Sequence, residues 1–177
     1  MPFINEVVAN TTRYAGIQVD IEPSWTNPEE IHGYINFVNL LSREMHKRGK
    51  KVVLAVASWV KAFADFKLLG TCEADKICTM DTVLYVQFPP IEFLTLDASS
   101  HTDAWDRAFF KIVNSMPLEK VCIGIMSTDP NTGKFLTEEE IAHRFELIKK
   151  YNVDYVALWK APIPENMKKF VRDFLYN

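Results

Sequence analysis

The sequence predicts an α/β fold in which parallel strands alternate with helices. Five short apolar runs of strand length recur along the chain, and helical spacing of apolar residues separates them. Most of these runs are apolar on both faces, as expected of parallel strands covered by helices. The runs are GIQVDIE, KVVLAVAS, DTVLYVQF, KVCIGIMS and VDYVALWK. Strand and helix alternate without an obvious linker, so we expect a single domain over residues 1–177.

Start and stop signals define the helices between these strands. Asn27 can cap a helix that Pro28 begins, and Gly49 follows its far end. Thr137 and Glu140 form a capping box for a later helix. The predicted helices cover residues 3–13, 28–48, 60–69, 102–116 and 137–151, and a last helix begins around Pro164.

Two architectures fit this order, an open doubly wound sheet and the larger part of a (β/α)8 barrel. A complete barrel needs eight strands and typically about 250 residues, so five strands in 177 residues cannot close one. We therefore expect open sheet edges. Unpaired edges invite pairing with another chain, so self-association is a further expectation.

Composition excludes several classes of partner and site. The net charge is −3 and acids and bases are interspersed, which argues against nucleic acid and anionic membranes as partners. No apolar run reaches the length of a membrane span. The histidines show no ligand spacing, so no metal and no cofactor is expected. No basic segment followed by an apolar one opens the sequence, which leaves the compartment open; the protein would be secreted if a full-length parent carried a signal peptide.

The three cysteines do not suggest a disulfide framework. Cys72, Cys78 and Cys122 are odd in number and lack the C-x-x-C spacing of a zinc or redox site. We expect buried, inert thiols, with a Cys72 to Cys78 bridge as the alternative.

The first strand carries a row of polar residues. Gln18, Asp20 and Glu22 occupy alternate positions and so share one face, while the positions between them are apolar. At the carboxyl end of a parallel strand such a row would point to the place where ligands bind in both architectures. Two neighbouring carboxyls repel, which raises one pKa and suits a general acid. The alternative is a solvated edge with salt-bridged acids.

The segment AGIQVDIE resembles the D-G-x-D-x-D-x-E signature of the family 18 glycoside hydrolases, the chitinase and endo-β-N-acetylglucosaminidase group, and is nearest the hevamine type. This resemblance implies that Glu22 donates a proton to the glycosidic oxygen and that Asp20 orients the 2-acetamido group of the substrate, whose oxygen attacks the anomeric carbon. YVQF resembles the sixth barrel strand, where Gln87 would line the sugar site. VALWK resembles the eighth, where Trp159 would form an aromatic floor.

By this resemblance the chain supplies strands four to eight of the barrel and lacks strands one to three, as an N-terminally truncated domain would. Three positions depart from the family pattern. Ala15 and Gln18 replace signature aspartates, and Pro89 replaces a tyrosine whose hydroxyl bonds the acetamido oxygen. Gln18 can hold Asp20 by a hydrogen bond but cannot relay its proton. Tyr85 points the same way as Gln87 but lies one layer deeper.

Three functional hypotheses follow. The first is a glycoside hydrolase acting on β-1,4-linked N-acetylglucosamine polymers such as chitin by substrate-assisted retaining hydrolysis, with weak or lost activity in this form. The second is a chitinase-like protein that binds the glycan without cleaving it. The third is an unrelated open α/β domain whose acids bind a metal.

Overall fold

The computed structural model of the chain describes residues 2–21, 27–57, 66–80, 101–129, 132–159 and 163–176. Its helices are α1 (Pro2–Asn10), α2 (Pro28–His46), α3 (Phe66–Gly70), α4 (His101–Val113), α5 (Glu138–Lys150) and α6 (Glu165–Tyr176). A short 3-10 helix covers Leu118–Lys120. The strands are β1 (Gly16–Val19), β2 (Lys51–Ala57), β3 (Lys76–Met80), β4 (Val121–Met126) and β5 (Val156–Trp159).

The five strands form one sheet in the order β1-β2-β3-β4-β5, and every neighbouring pair is parallel. Each strand therefore lies beside the next strand along the chain, with helices in the connections. This sequential order is the order of a (β/α) barrel, and it differs from a doubly wound sheet, in which the order reverses. The chain is an α/β protein that forms part of a TIM-like barrel, as the sequence predicts.

One face of the sheet is buried against the helices. The buried strand residues on this face alternate along each strand and include Val52, Leu54 and Val56 on β2, Ile77 on β3, and Val121, Ile123 and Ile125 on β4. Helix residues such as Val38, Leu41 and Met45 of α2 complete the same core. Burying each of these side chains contributes on the order of 1.5–3 kcal/mol, which makes this layer the main source of stability.

The helix boundaries agree with the signals in the sequence. The Asn27 side chain accepts a hydrogen bond from the backbone of Glu29, and Pro28 is the first helical residue of α2. Gly49 follows this helix with a φ of 65°, a left-handed conformation that favours glycine. Thr137 and Glu140 form the predicted capping box of α5, with both reciprocal hydrogen bonds present.

The third strand includes residues that the sequence analysis did not assign to it. The sequence analysis placed it at residues 81–88, whereas β3 covers Lys76–Met80. The segment KICTM gives a weaker apolar signal because Lys76 and Thr79 interrupt it, although the Thr79 side chain is buried. Residues 81–100 lie outside the described part of the chain. The predicted positions of Tyr85 and Gln87 are therefore untested.

The cysteines follow the main expectation. Cys72, Cys78 and Cys122 are free and buried, so the Cys72 to Cys78 bridge considered from the sequence is absent. Cys78 instead lies opposite Cys122 on the neighbouring strand. A hydrogen bond between their thiols, together with burial, raises the pKa of Cys122. All three thiols are enclosed, and burial also raises the pKa of Cys72, so they are unreactive.

The Asp75 carboxylate ties the amino ends of β2 and β3 together. Lys51 Nζ donates a hydrogen bond to Asp75 Oδ1 at 2.6 Å, and the Val52 amide donates one to Oδ2 at 2.8 Å. His46 Nε2, at the end of α2, lies 2.8 Å from the same Oδ2. Burial acts to raise the pKa of Asp75, but the hydrogen bonds from Lys51, Val52 and His46 outweigh it and hold the pKa below its usual value.

We predict that Asp75→Asn lowers the free energy of unfolding at pH 7 by about 1.5–3 kcal/mol, because it removes the charge from these hydrogen bonds. The folded pKa of Asp75 is depressed, so this stabilisation is present above the unfolded pKa of about 3.9 and is lost as the pH falls through the lower folded pKa. Urea unfolding at pH 7 and pH 3 measures both effects.

The difference in stability between Asp75→Asn and the unchanged protein should shrink at pH 3. Asp154→Asn is the matched control, since Asp154 pairs with Lys76 but is 70% exposed and should contribute little. A difference that is the same at both pH values would show that the carboxylate charge has no part in it.

Candidate functional site

The strand register assigns the candidate site residues to one face of the sheet. Paired residues in a parallel sheet point to the same side, and residues two apart on a strand do so as well. The pairs Gln18 with Val53, Val53 with Lys76, Cys78 with Cys122 and Gly124 with Ala157 link all five strands. Trp159 lies two residues beyond Ala157. Gln18 and Trp159 therefore share the face opposite the helix-covered core.

The first strand shows the expected alternation of burial at Gln18 and Val19, whereas Ile17 is half-buried and Ile21, beyond the strand, is exposed. Gln18 is exposed whereas Val19 is buried in the core at 7% exposure. Asp20 follows the last residue of β1 and is also exposed. Gly16 begins the strand beside Lys51, and a side chain there would collide with the backbone, because an added Cβ would lie 2.2 Å from Lys51 O. This close approach explains the glycine of the sequence motif.

Asp20 directly follows the last residue of β1. Burial raises the pKa of Tyr34 on α2, with smaller contributions from the charges of Cys72 and Asp20. Glu22 lies outside the described residues, so its predicted position beside Asp20 is untested.

Trp159 is the last residue of β5 and packs directly on the backbone of β4. A Cβ added to Gly124 would lie 2.5 Å from Trp159 Nε1 and 2.3 Å from Thr79 O, so only glycine leaves room for the indole. Met126 is paired with Trp159 in the register and lies on the same face. The indole is half-buried, and Nε1 has no hydrogen-bond partner among the described residues.

Asp20 and Trp159 both lie at the carboxyl ends of their strands, at the two edges of the sheet. This end is where parallel α/β sheets and barrels bind ligands. The sequence analysis identified the tryptophan but missed Gly124. An isolated glycine within the apolar run VCIGIM was the available signal, because such a glycine often marks a close approach to a backbone.

A metal site and a membrane span find no support in the described residues. Within the ranges given above, no group of three or more His, Cys, Asp or Glu side chains is arranged to hold a metal ion. No described helix is both long enough and apolar enough to cross a membrane.

The fold is that of chitinases. A chitinase from Chromobacterium violaceum superposes with a TM-score of 0.72 at 15% identity, covering 98% of this chain and 71% of that one. The Group IV chitinase from Ostrinia furnacalis in complex with allosamidin gives 0.70 at 13%, covering 98% and 71%. The spore cortex-lytic enzyme SleL from Bacillus megaterium gives 0.68 at 14%, covering 98% and 52%.

These comparisons confirm, at the level of the fold, the resemblance inferred from AGIQVDIE. No protein-family model matches the sequence, and no curated protein does. The chain spans about half the length of SleL. The likeness defines a glycosidase-type partial barrel.

We predict that Gly124→Ala displaces the Trp159 indole and lowers the melting temperature, because the new methyl group collides with the indole and with Thr79 O. Tryptophan fluorescence should shift to longer wavelength as the half-buried ring becomes more exposed. The double variant Gly124→Ala with Trp159→Ala should lose that shift.

Gly33→Ala on α2 is the matched control, since an added Cβ there meets nothing within 4 Å. An unchanged emission spectrum in Gly124→Ala would contradict the placement of the indole on the β4 backbone.

Proposed function

We propose that this chain is a chitinase-like glycoside hydrolase domain of family 18 type that acts on β-1,4-linked N-acetylglucosamine, as in chitin. The observation that carries the proposal is the position of Trp159. It is an aromatic side chain at the carboxyl end of the last strand, on the face that also bears Gln18, in a chitinase fold. Aromatic rings at such positions suit stacking against the apolar face of a sugar.

In this proposal Glu22 protonates the glycosidic oxygen, and Asp20 orients the acetamido group of the sugar. The acetamido oxygen attacks the anomeric carbon and forms an oxazolinium, which water then opens with retention of configuration. Trp159 forms the floor under the reacting sugar, and Gln87 and Tyr85 line the same site. The exposure of Asp20 leaves its carboxylate accessible to a ligand.

Three positions that depart from the family 18 pattern favour weakened catalysis. Gln18 occupies the position next to Asp20 where a second carboxyl would share a proton, and an amide cannot ionise. Pro89 has no donor for the acetamido oxygen, and loss of one such donor costs about 2.7–4 kcal/mol of transition-state stabilisation. A glycan-binding protein without turnover is therefore the second candidate, favoured by Gln18, Ala15 and Pro89 together.

Restoring the missing carboxyl tests the catalytic proposal. We predict that Gln18→Asp raises kcat/KM on a fluorogenic chitobioside by on the order of tenfold or more. The reason is that a second carboxyl can share a proton with Asp20 during the reaction, which the Gln18 amide cannot do. Glu22→Gln and the pair Gln18→Asp with Glu22→Gln should both be inactive.

The three variants and the unchanged protein are compared at equal concentration over pH 4–8. Equal rates for the unchanged protein and Glu22→Gln would remove Glu22 as the acid. If none of the proteins, including Gln18→Asp, cleaves the substrate but the unchanged protein binds chitotriose, the glycan-binding protein without turnover is favoured over the hydrolase.

In this proposal the Trp159 ring supplies the stacking surface for the bound sugar. We predict that Trp159→Ala weakens chitotriose binding by about tenfold, on the order of 1 kcal/mol or slightly more, because the stacking surface is lost. Isothermal titration calorimetry measures the change.

Tyr14→Ala is the matched control. Tyr14 is a 64% exposed aromatic residue just before β1, at the opposite end of the sheet, so its loss should leave the affinity unchanged. Absence of chitotriose binding by the unchanged protein would overturn both functional candidates.

A further inference from the structure

Phe135 is a large aromatic side chain left exposed at the carboxyl end of the sheet. It is 68% exposed and belongs to the segment that connects β4 to α5. A single exposed apolar side chain is common on protein surfaces and does not by itself mark a site. Two further properties distinguish Phe135, namely the fixed backbone that carries it and its place beside the candidate site.

A short hairpin after β4 fixes the backbone at Phe135. Thr128 and Phe135 form an antiparallel bridge, and the Asp129 amide donates a hydrogen bond to Lys134 O at 2.8 Å. Gly133 has a φ of 69° and donates its amide to Asp129 O at 2.8 Å, which turns the chain back on itself. An aromatic side chain on a fixed backbone loses little conformational entropy when it contacts a ligand.

Phe135 points away from the helix-covered core. Its neighbour Leu136 is 3% exposed and belongs to that core. Successive residues of an extended segment point to opposite sides, so Phe135 projects to the side of the sheet that bears Trp159. The Asn166 side chain on α6 donates a hydrogen bond to Leu136 O at 3.3 Å. Because α6 follows β5, this contact places the returning arm of the hairpin on the β5 side of β4.

The register limits the distance between Phe135 and Trp159. Trp159 is paired with Met126, Thr128 follows Met126 by two residues, and Phe135 is bridged to Thr128. These steps measure about 5 Å across the strands, about 7 Å along the chain and about 5 Å across the hairpin. The two Cα atoms are therefore separated by no more than about 17 Å, a distance that an oligosaccharide of a few units spans.

We propose that Phe135 forms an outer sugar-binding position, at which its ring stacks on a second unit of the glycan chain whose inner unit lies over Trp159. Trp159 is half-buried against β4 and receives the inner sugar, whereas the exposed ring on the hairpin receives an outer one. This inference rests on the proposed function and narrows its substrate class to oligomers and polymers that reach the hairpin. Affinity then rises with the length of the glycan, and Phe135 supplies that rise.

Removal of the Phe135 ring tests the outer position. In isothermal titration calorimetry, Phe135→Ala should weaken the binding of chitopentaose by about three- to tenfold, because one stacking contact is lost. The binding of chitobiose, which is too short to occupy both positions, should be unchanged. Phe135→Tyr keeps the ring and should restore the affinity for chitopentaose. The melting temperature of Phe135→Ala should equal that of the unchanged protein, since the side chain is outside the core.

Tyr176→Ala is the matched control, since Tyr176 is an 83% exposed aromatic residue at the far end of α6 and its loss should leave both affinities unchanged. An equal loss for chitobiose and chitopentaose in Phe135→Ala overturns the dependence on chain length. If Trp159→Ala weakens chitopentaose binding and Phe135→Ala does not, the outer position is overturned and the proposed function stands. Absence of chitopentaose binding by the unchanged protein overturns both.

Discussion

The parallel register of the five strands determines where every candidate site residue lies. One set of alternate strand positions is buried under the helices, and this set supplies the core. The other set of alternate positions faces away from the helices. Its side chains do not pack in the helix-covered core, so they can serve a ligand site. Gln18 and Trp159 belong to this second set, on strands at opposite edges of the sheet. A slip of one residue in either strand would move its polar or aromatic side chain into the core, so the core fixes the site.

Much of the fold could be predicted because local signals and long-range packing agree. Asn27, Pro28 and Gly49 set the limits of α2, and Thr137 with Glu140 sets the start of α5. Residues 76–80 were not predicted as strand, because Lys76 and Thr79 interrupt their apolar pattern and their decisive property is burial in the middle of the sheet, between β2 and β4. Residues 81–88, where the sequence predicts the third strand, lie outside the described part of the chain.

Only the exposure of two candidate site residues could be predicted from the sequence, and the prediction rested on the alternation of residue types along one strand. The alternation of Gln18, Asp20 and Glu22 stood out against an apolar strand, and Gln18 and Asp20 are exposed as that pattern indicates. The role of Gly124 was not foreseen, since its meaning depends on Trp159 lying across from it on a strand more than thirty residues away. The Cys78 and Cys122 contact was missed in the same way, because only the register brings the two thiols together. The roles of Glu22, Gln87 and Tyr85 remain predictions.

The Asp75 cluster lies at the amino ends of the strands, where it joins α2, β2 and β3. Its location separates the groups that hold the scaffold from the groups proposed to act on a glycan at the other end. Substitutions at the carboxyl ends of the strands can therefore alter the proposed site without threatening the ability of the chain to fold. A protein of this shape can change its chemistry by mutation and remain stable, which leaves it open to selection for a new role.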